Sequence, residues 1–178
     1  MNTDLIKQAA ELLTLRQISL RTCDFKVFPN FDPVLDGKEL GFQLRANLCE
    51  SSIIEQTDSE SNETVHWVRF IIETAIRLIK GNDDDNEEEV VVEMTAQHAI
   101  YLTSTQGDIP EECLREFGQH NGTFQVWPYW RALVQENFAK AQIPVFALPM
   151  FKLNGKEKVL TPILLAPTTE EKSSDTQP

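Results

Sequence analysis

The stretch Val65-His66-Trp67-Val68-Arg69-Phe70-Ile71-Ile72-Glu73-Thr74-Ala75-Ile76-Arg77-Leu78-Ile79-Lys80 decides the fold. Val68, Phe70, Ile72, Thr74, Ile76 and Leu78 make one row, while Trp67, Arg69, Glu73 and Arg77 make the opposite one. A period of two is the pleat of a β-strand, so this run reads as a strand with one buried face. Three further runs behave alike. Leu40 to Ile54 alternates Leu40, Phe42, Leu44, Ala46 and Leu48 against Gln43, Arg45 and Asn47. Val90 to Thr103 sets Val90, Val92, Met94, Ala96, Ile100 and Leu102 opposite Glu93, Thr95, Gln97 and Thr103. In Leu13 to Val27 the parity breaks, with Leu13 and Leu15 on one face and Ile18 and Leu20 on the other, which predicts a bulge near Arg16-Gln17. Polar connections at 55–64 and 81–89 join the later runs, so the expectation is a four-stranded antiparallel sheet. Strands of about 15 residues are far longer than the usual 5–6 and offer more apolar face than two helices cover, which points to an oligomer.

Outside these runs the period is helical. Asp4 precedes Leu5, Ile6, Ala9, Leu12 and Leu13 on one face, giving a short amphipathic N-terminal helix. After Gly107, Pro110 opens a helix through Cys113, Leu114 and Phe117 that Gly118 is expected to end. Pro128 is expected to open a second, whose Trp130, Leu133, Val134, Phe138 and Ala141 share a face and which Pro144 stops. The fold class is therefore α+β, with helices packed on one face of the sheet and a long crossover loop between strands 1 and 2. Residues 1–12 form an N-terminal helical extension, 13–151 the main domain, and 152–178 a C-terminal segment whose Thr/Glu/Ser-rich end is read as disordered. The stripe Trp130, Val134 and Phe138 exceeds what one sheet face needs and is assigned to an oligomer interface.

Composition excludes several function classes. The chain has 178 residues and a formal net charge of −12, from 16 basic and 28 acidic residues, which repels phosphate backbones and anionic membranes. No stretch approaches the roughly 20 apolar residues of a membrane span, and Met1-Asn2-Thr3-Asp4 lacks the layout of a signal peptide, so the expectation is a cytoplasmic protein without nucleic-acid or membrane partners. Cys23, Cys49 and Cys113 share no metal or redox spacing and read as reduced thiols. The run Asp83, Asp84, Asp85, Glu87, Glu88 and Glu89 lacks the glycine and ligand spacing of a calcium loop and reads as a solvated hairpin. His66, His98 and His120 are scattered, with His98 read as a core or interface residue, and no nucleophile, phosphate-loop or metalloprotease motif occurs. The chain is expected to be no enzyme and to take no cofactor.

What stands out is apolar density in irregular segments. The connection from Asp24 to Gly37 carries Phe25, Phe28, Phe31, Val34 and Leu35, and the extended, proline-rich segment after the last helix carries Phe146, Leu148 and Met150. Loops lie on the surface, so these side chains either pin the loops to the core or remain available. Taken as available, Phe25, Phe28, Phe31, Val34, Leu35, Trp127, Phe146, Leu148 and Met150 are the candidate surface for extended polypeptide, where backbone hydrogen bonds give affinity without sequence preference.

The residues also resemble a known family. Trp127-Pro128-Tyr129-Trp130-Arg131, then a helix, then Ile143-Pro144 and Leu148-Pro149, is similar to the signature of the SecB chaperones. Ala99-Ile100-Tyr101 sits where the family has Gly-Ile-Phe, and Phe31-Asp32-Pro33 resembles the aromatic-x-Pro of its crossover loop, so the resemblance spans roughly residues 13–151. It implies a SecB-like, ATP-independent holding chaperone that binds unfolded or nascent polypeptide, assembled as a homotetramer, a dimer of dimers, serving protein export or one dedicated client such as an antitoxin. Two departures bear on this. Gln17 and Arg21 stand where export-linked members carry acids that dock the SecA translocase, which implies that a SecA contact is lost or weak and favours the toxin–antitoxin branch. The family's second long helix is disfavoured by Asn154-Gly155, Pro162 and Pro167. The alternative is a SecB-fold interaction or scaffold protein without general chaperone activity, its grooves closed by its own Val159 to Leu165.

Overall fold

The computed structural model describes residues 1–36, 40–57, 64–81, 88–104, 106–144 and 147–151. Phe146, most of the acidic run and the segment from 152 onward lie outside the described residues. In chain order the elements are α1 (Thr3–Leu12), β1 (Leu13–Val27), α2 (Pro33–Asp36), β2 (Leu40–Thr57), β3 (Thr64–Gly81), β4 (Glu88–Ser104), α3 (Glu111–Phe117), a π-helical turn (Gly118–Gly122) and α4 (Thr123–Lys140). The strands form one antiparallel sheet in the order β1-β4-β3-β2, so the crossover between β1 and β2 carries the chain from one edge of the sheet to the other.

The pleat sorts the side chains as the alternation requires. Val68, Phe70, Ile72, Thr74, Ile76 and Leu78 of β3, with Val92, Met94, Ala96, His98, Ile100 and Leu102 of β4, are all buried on one face. Each large apolar side chain removed from water contributes roughly 1.5–3 kcal/mol, so this double row dominates the core. The bulge expected in β1 occurs at Arg16, and a second occurs at Arg21. The face expected for Val90 is corrected by another: Leu78 pairs Val92 while Ile79 pairs Val90, and the extra residue between them, Val91, is the buried one.

Helices α1, α3 and α4 gather on the apolar face, where Ala9, Phe117 and Trp130 join the same core. Neither Gly118 nor Pro128 acts as the expected boundary. Gly118 has helical dihedrals (φ −59°, ψ −46°), and the chain runs from α3 through the π turn into α4 without a break. Close approach explains the glycines: a Cβ on Gly118 would stand 2.9 Å from Phe70 Cδ1 and 3.0 Å from the Leu48 methyls. Pro128 sits inside α4, where its missing N–H leaves the Phe124 carbonyl without its usual partner. Phe124 is exposed, so water can serve that carbonyl. The helix ends when Gln142, two residues after Lys140, enters the left-handed region (φ 57°) and the Ile143 N–H returns to the Phe138 carbonyl at 2.9 Å. At the other terminus Asn2, rather than Asp4, caps α1, and Cys113 of α3 donates to Gln8 of α1 at 3.3 Å. Of the three free cysteines only Cys113 is buried.

The stripe Trp130, Val134 and Phe138 has 0%, 2% and 1% of its surface exposed, so its assignment to an oligomer interface is corrected: these side chains fill the core of the single chain. The sequence pattern shows that a helix face is apolar but not whose sheet covers it.

Candidate functional site

The candidate polypeptide-binding residues divide into two sets. Phe31, Trp127 and Leu148 are buried and belong to the same core as Trp130. Phe25 is half-buried, its ring centroid 6.0 Å from that of Phe138, and Phe28 is half-buried too. Val34, Leu35 and Met150 are 74%, 77% and 71% exposed. Phe146 lies outside the described residues.

Backbone chemistry explains why the exposed pair stands out. The Phe28 N–H donates to the Val91 carbonyl and the Phe31 N–H to the Phe28 carbonyl, at 3.0 and 3.1 Å, so the crossover is tied to β4 until Phe31 turns inward. Asp32 then begins α2: its carboxylate accepts the N–H groups of Val34 (2.8 Å) and Leu35 (3.2 Å). Asp36 closes the turn by accepting the Asp32 N–H at 3.0 Å and pairing with Lys80 of β3 at 2.8 Å. That backbone hydrogen bond, with Lys80 beside it, holds the Asp36 carboxyl below its ordinary range. Val34 and Leu35 are thus two adjacent apolar side chains presented to water from a hydrogen-bonded platform.

The segment after α4 is also anchored. Trp127 Nε1 donates to the Pro149 carbonyl at 2.8 Å, and the Phe151 ring lies 5.4 Å from Trp127. Leu148 enters the core just before these contacts, while Met150, between them, remains outside. The aromatics expected to wall a groove therefore pin this segment down.

A cleft that the sequence reading missed lies between β1 and α4, lined by Ile18, Leu20, His98, Tyr129, Ala132, Leu133 and Glu136 and enclosing about 230 Å3. The α4 residues recur at helical spacing, and Leu20 is 48% exposed although it pairs with buried His98 on the apolar face. A histidine, His98, within the otherwise apolar row Val92, Met94, Ala96, Ile100 and Leu102 was the available signal. His98 Nδ1 has no partner among the described residues, and burial pushes the pKa of the ring down, favouring the neutral form.

No family model and no curated protein matches the sequence. Among solved structures, the fold matches a complex described as "Mycobacterium tuberculosis Rv1957 SecB-like chaperone in complex with a ChAD peptide from Rv1956 HigA1 antitoxin", with a TM-score of 0.61 and 18% identity over 84% of this chain and 97% of that one. The order of strands and helices expected from the sequence thus has a solved counterpart, and the chain has the fold of a SecB-like chaperone.

Proposed function

We propose that the chain is a non-enzymatic, ATP-independent holding chaperone that binds unfolded polypeptide, with a dedicated client such as an antitoxin favoured over general export. The observation that carries this reading is the α2 platform: four residues are organised by Asp32, Asp36 and Lys80 to hold Val34 and Leu35 in water. Stability alone does not account for two exposed aliphatic side chains on a braced turn, whereas an apolar client does. The solved structure of similar fold carries a peptide from an antitoxin, which supports a polypeptide client here. Met150 and the cleft beside Leu20 and Tyr129 extend the apolar surface, and several shared contacts worth roughly 1.5–3 kcal/mol each when fully buried give affinity without sequence preference. We also infer a cytoplasmic homo-oligomer: β1 is an edge strand that carries exposed Leu15 and Leu20, and an edge of this length invites pairing.

The burial of Phe31, Trp127 and Leu148 favours a second reading, an interaction or scaffold protein whose would-be groove is filled by its own chain. Light scattering from a guanidine-denatured protein diluted into buffer separates the two. A holding chaperone suppresses aggregation without nucleotide, and a scaffold leaves it unchanged.

A further inference from the structure

Both bulges of β1 seat an arginine, and the two arginines meet the same stretch of β4 on the sheet face opposite the helices. Leu15 pairs Leu102 and Gln17 pairs Tyr101, which makes Arg16 the extra residue of the first bulge. Leu20 pairs His98 and Thr22 pairs Gln97, which makes Arg21 that of the second. A bulge re-aims one side chain without disturbing the rest of a strand, and such features recur beside functional sites. Arg16 Nε donates to Thr103 Oγ1 at 2.8 Å, and Arg21 donates to the Tyr101 hydroxyl at 3.4 Å.

Charge accounting on this face is uneven. Arg45 pairs Glu73, Arg69 pairs Glu50, Arg77 pairs Glu93 and Lys26 pairs Asp24. Among the described residues Arg16 and Arg21 meet only hydroxyl groups and no carboxylate, in a chain whose net charge is −12. Trp67 pairs directly with Thr103, and Arg69 with Tyr101, so aromatic rings interleave with the guanidinium groups. Arginine, tyrosine and tryptophan are the residues over-represented at binding hot spots, and a guanidinium holds a carboxylate in a two-point fork.

We propose that this patch of Arg16, Arg21, Tyr101, Thr103 and Trp67 docks an acidic peptide segment of another protein. The site is separate from the α2 platform and stands or falls independently of holding activity. Because the rest of the molecule repels an anionic ligand, binding has to come from these groups locally, and added salt weakens it.

The test is fluorescence anisotropy of a labelled hexaglutamate peptide titrated with the full chain. The wild type is expected to bind at low ionic strength. The double variant Arg16→Glu with Arg21→Glu, and the milder Arg16→Gln with Arg21→Gln, should each weaken binding by about tenfold or more, the scale of two surface ion pairs. A control with the same charge change, Lys7→Glu with Lys140→Glu, should retain it. Absence of binding by the wild type, or equal loss in the control, overturns the proposal. Loss in the glutamate variant alone, with the glutamine variant binding normally, also overturns it, because the arginines then contribute no contacts.

Discussion

Gln119 Oε1, in the π turn between α3 and α4, accepts the backbone N–H of Leu48 at 3.1 Å. Leu48 borders the bulge of β2, where Leu48 pairs Ile72 and Glu50 pairs Ile71, leaving Cys49 extra. An irregular helix turn thus supplies the acceptor that an irregular strand lacks, and Thr123 Oγ1 donates to the Gln119 carbonyl at 2.7 Å to steady the turn. Two local departures from regularity, 71 residues apart, match each other across the core.

Gln119→Ala should therefore destabilise the fold by about 1–3 kcal/mol, since it leaves a part-buried amide without a partner. Urea unfolding measures this. Gln119→Glu keeps an acceptor oxygen and is expected to lose less. An unchanged midpoint for the alanine variant would show that solvent replaces the side chain at no cost.

The two glycines of the π turn should answer differently to alanine. At Gly118 a methyl would meet the buried Phe70 ring at 2.9 Å, and overpacking of that kind costs about 1–3 kcal/mol, more than the gain of about 1 kcal/mol in helix propensity. At Gly122 the nearest atoms are the Cδ1 methyls of Ile72 and Ile100, at 3.2 and 3.3 Å, which yield by small shifts. The expectation is a clear loss of stability for Gly118→Ala and near neutrality for Gly122→Ala in parallel thermal melts.

The same residues show how far sequence reasoning reaches. All four strands follow from alternation, because a half-buried strand has a period that few other structures share, although β2 runs on through polar Glu55, Gln56 and Thr57, which read as a connection. Gly118 and Pro128 read as boundaries because both are poor helix residues locally. Their places are set by Phe70 and Leu48 pressing on one and by an exposed carbonyl opposite the other, and neither fact is local. The candidate site was legible in part. Val34, Leu35 and Met150 are exposed, whereas Phe31, Trp127 and Leu148 turned into the core, since aromatic content does not tell a loop that displays its rings from one anchored by them. Arg16 was placed at a bulge by the parity change, but Arg21 was not, although the apolar residues move back from even numbers at Ile18 and Leu20 to odd ones at Phe25 and Val27, the mark of a second slip.

Acid should weaken the fold in two stages. Burial lowers the pKa of His98, so below about pH 6.5 the unfolded chain takes up a proton there that the native state resists. Stability is present in full above that pH and declines as pH falls toward the depressed native value. Glu50 beside Arg69, and Glu116 beside the Asn2 amide, have carboxyls held below their ordinary range and lose their contributions only at more acidic pH. Replacing His98 by Gln should flatten the first decline and leave the second. Urea midpoints measured from neutral pH to about pH 5 check the sign, and equal slopes for variant and wild type would assign the decline to other groups.

The α2 platform offers the sharpest separation of function from stability. Val34 and Leu35 are exposed, and nothing in the core depends on them, so Val34→Asp with Leu35→Asp should change unfolding free energy by no more than about 0.5 kcal/mol. Phe31 is buried one residue before the cap Asp32, and Phe31→Ala should cost about 3–5 kcal/mol. If α2 contacts client, the aspartate pair lowers suppression of aggregation while leaving the melting curve in place, because two charges on the apolar surface oppose burial of a client side chain. Lys80→Ala provides a graded version: it removes the ion pair that braces Asp36 and loosens the platform without charging it, so holding activity should fall less than in the aspartate pair. Full holding activity in the aspartate pair would remove α2 from the client surface and leave Met150 and the cleft beside Leu20 as the remaining apolar contacts.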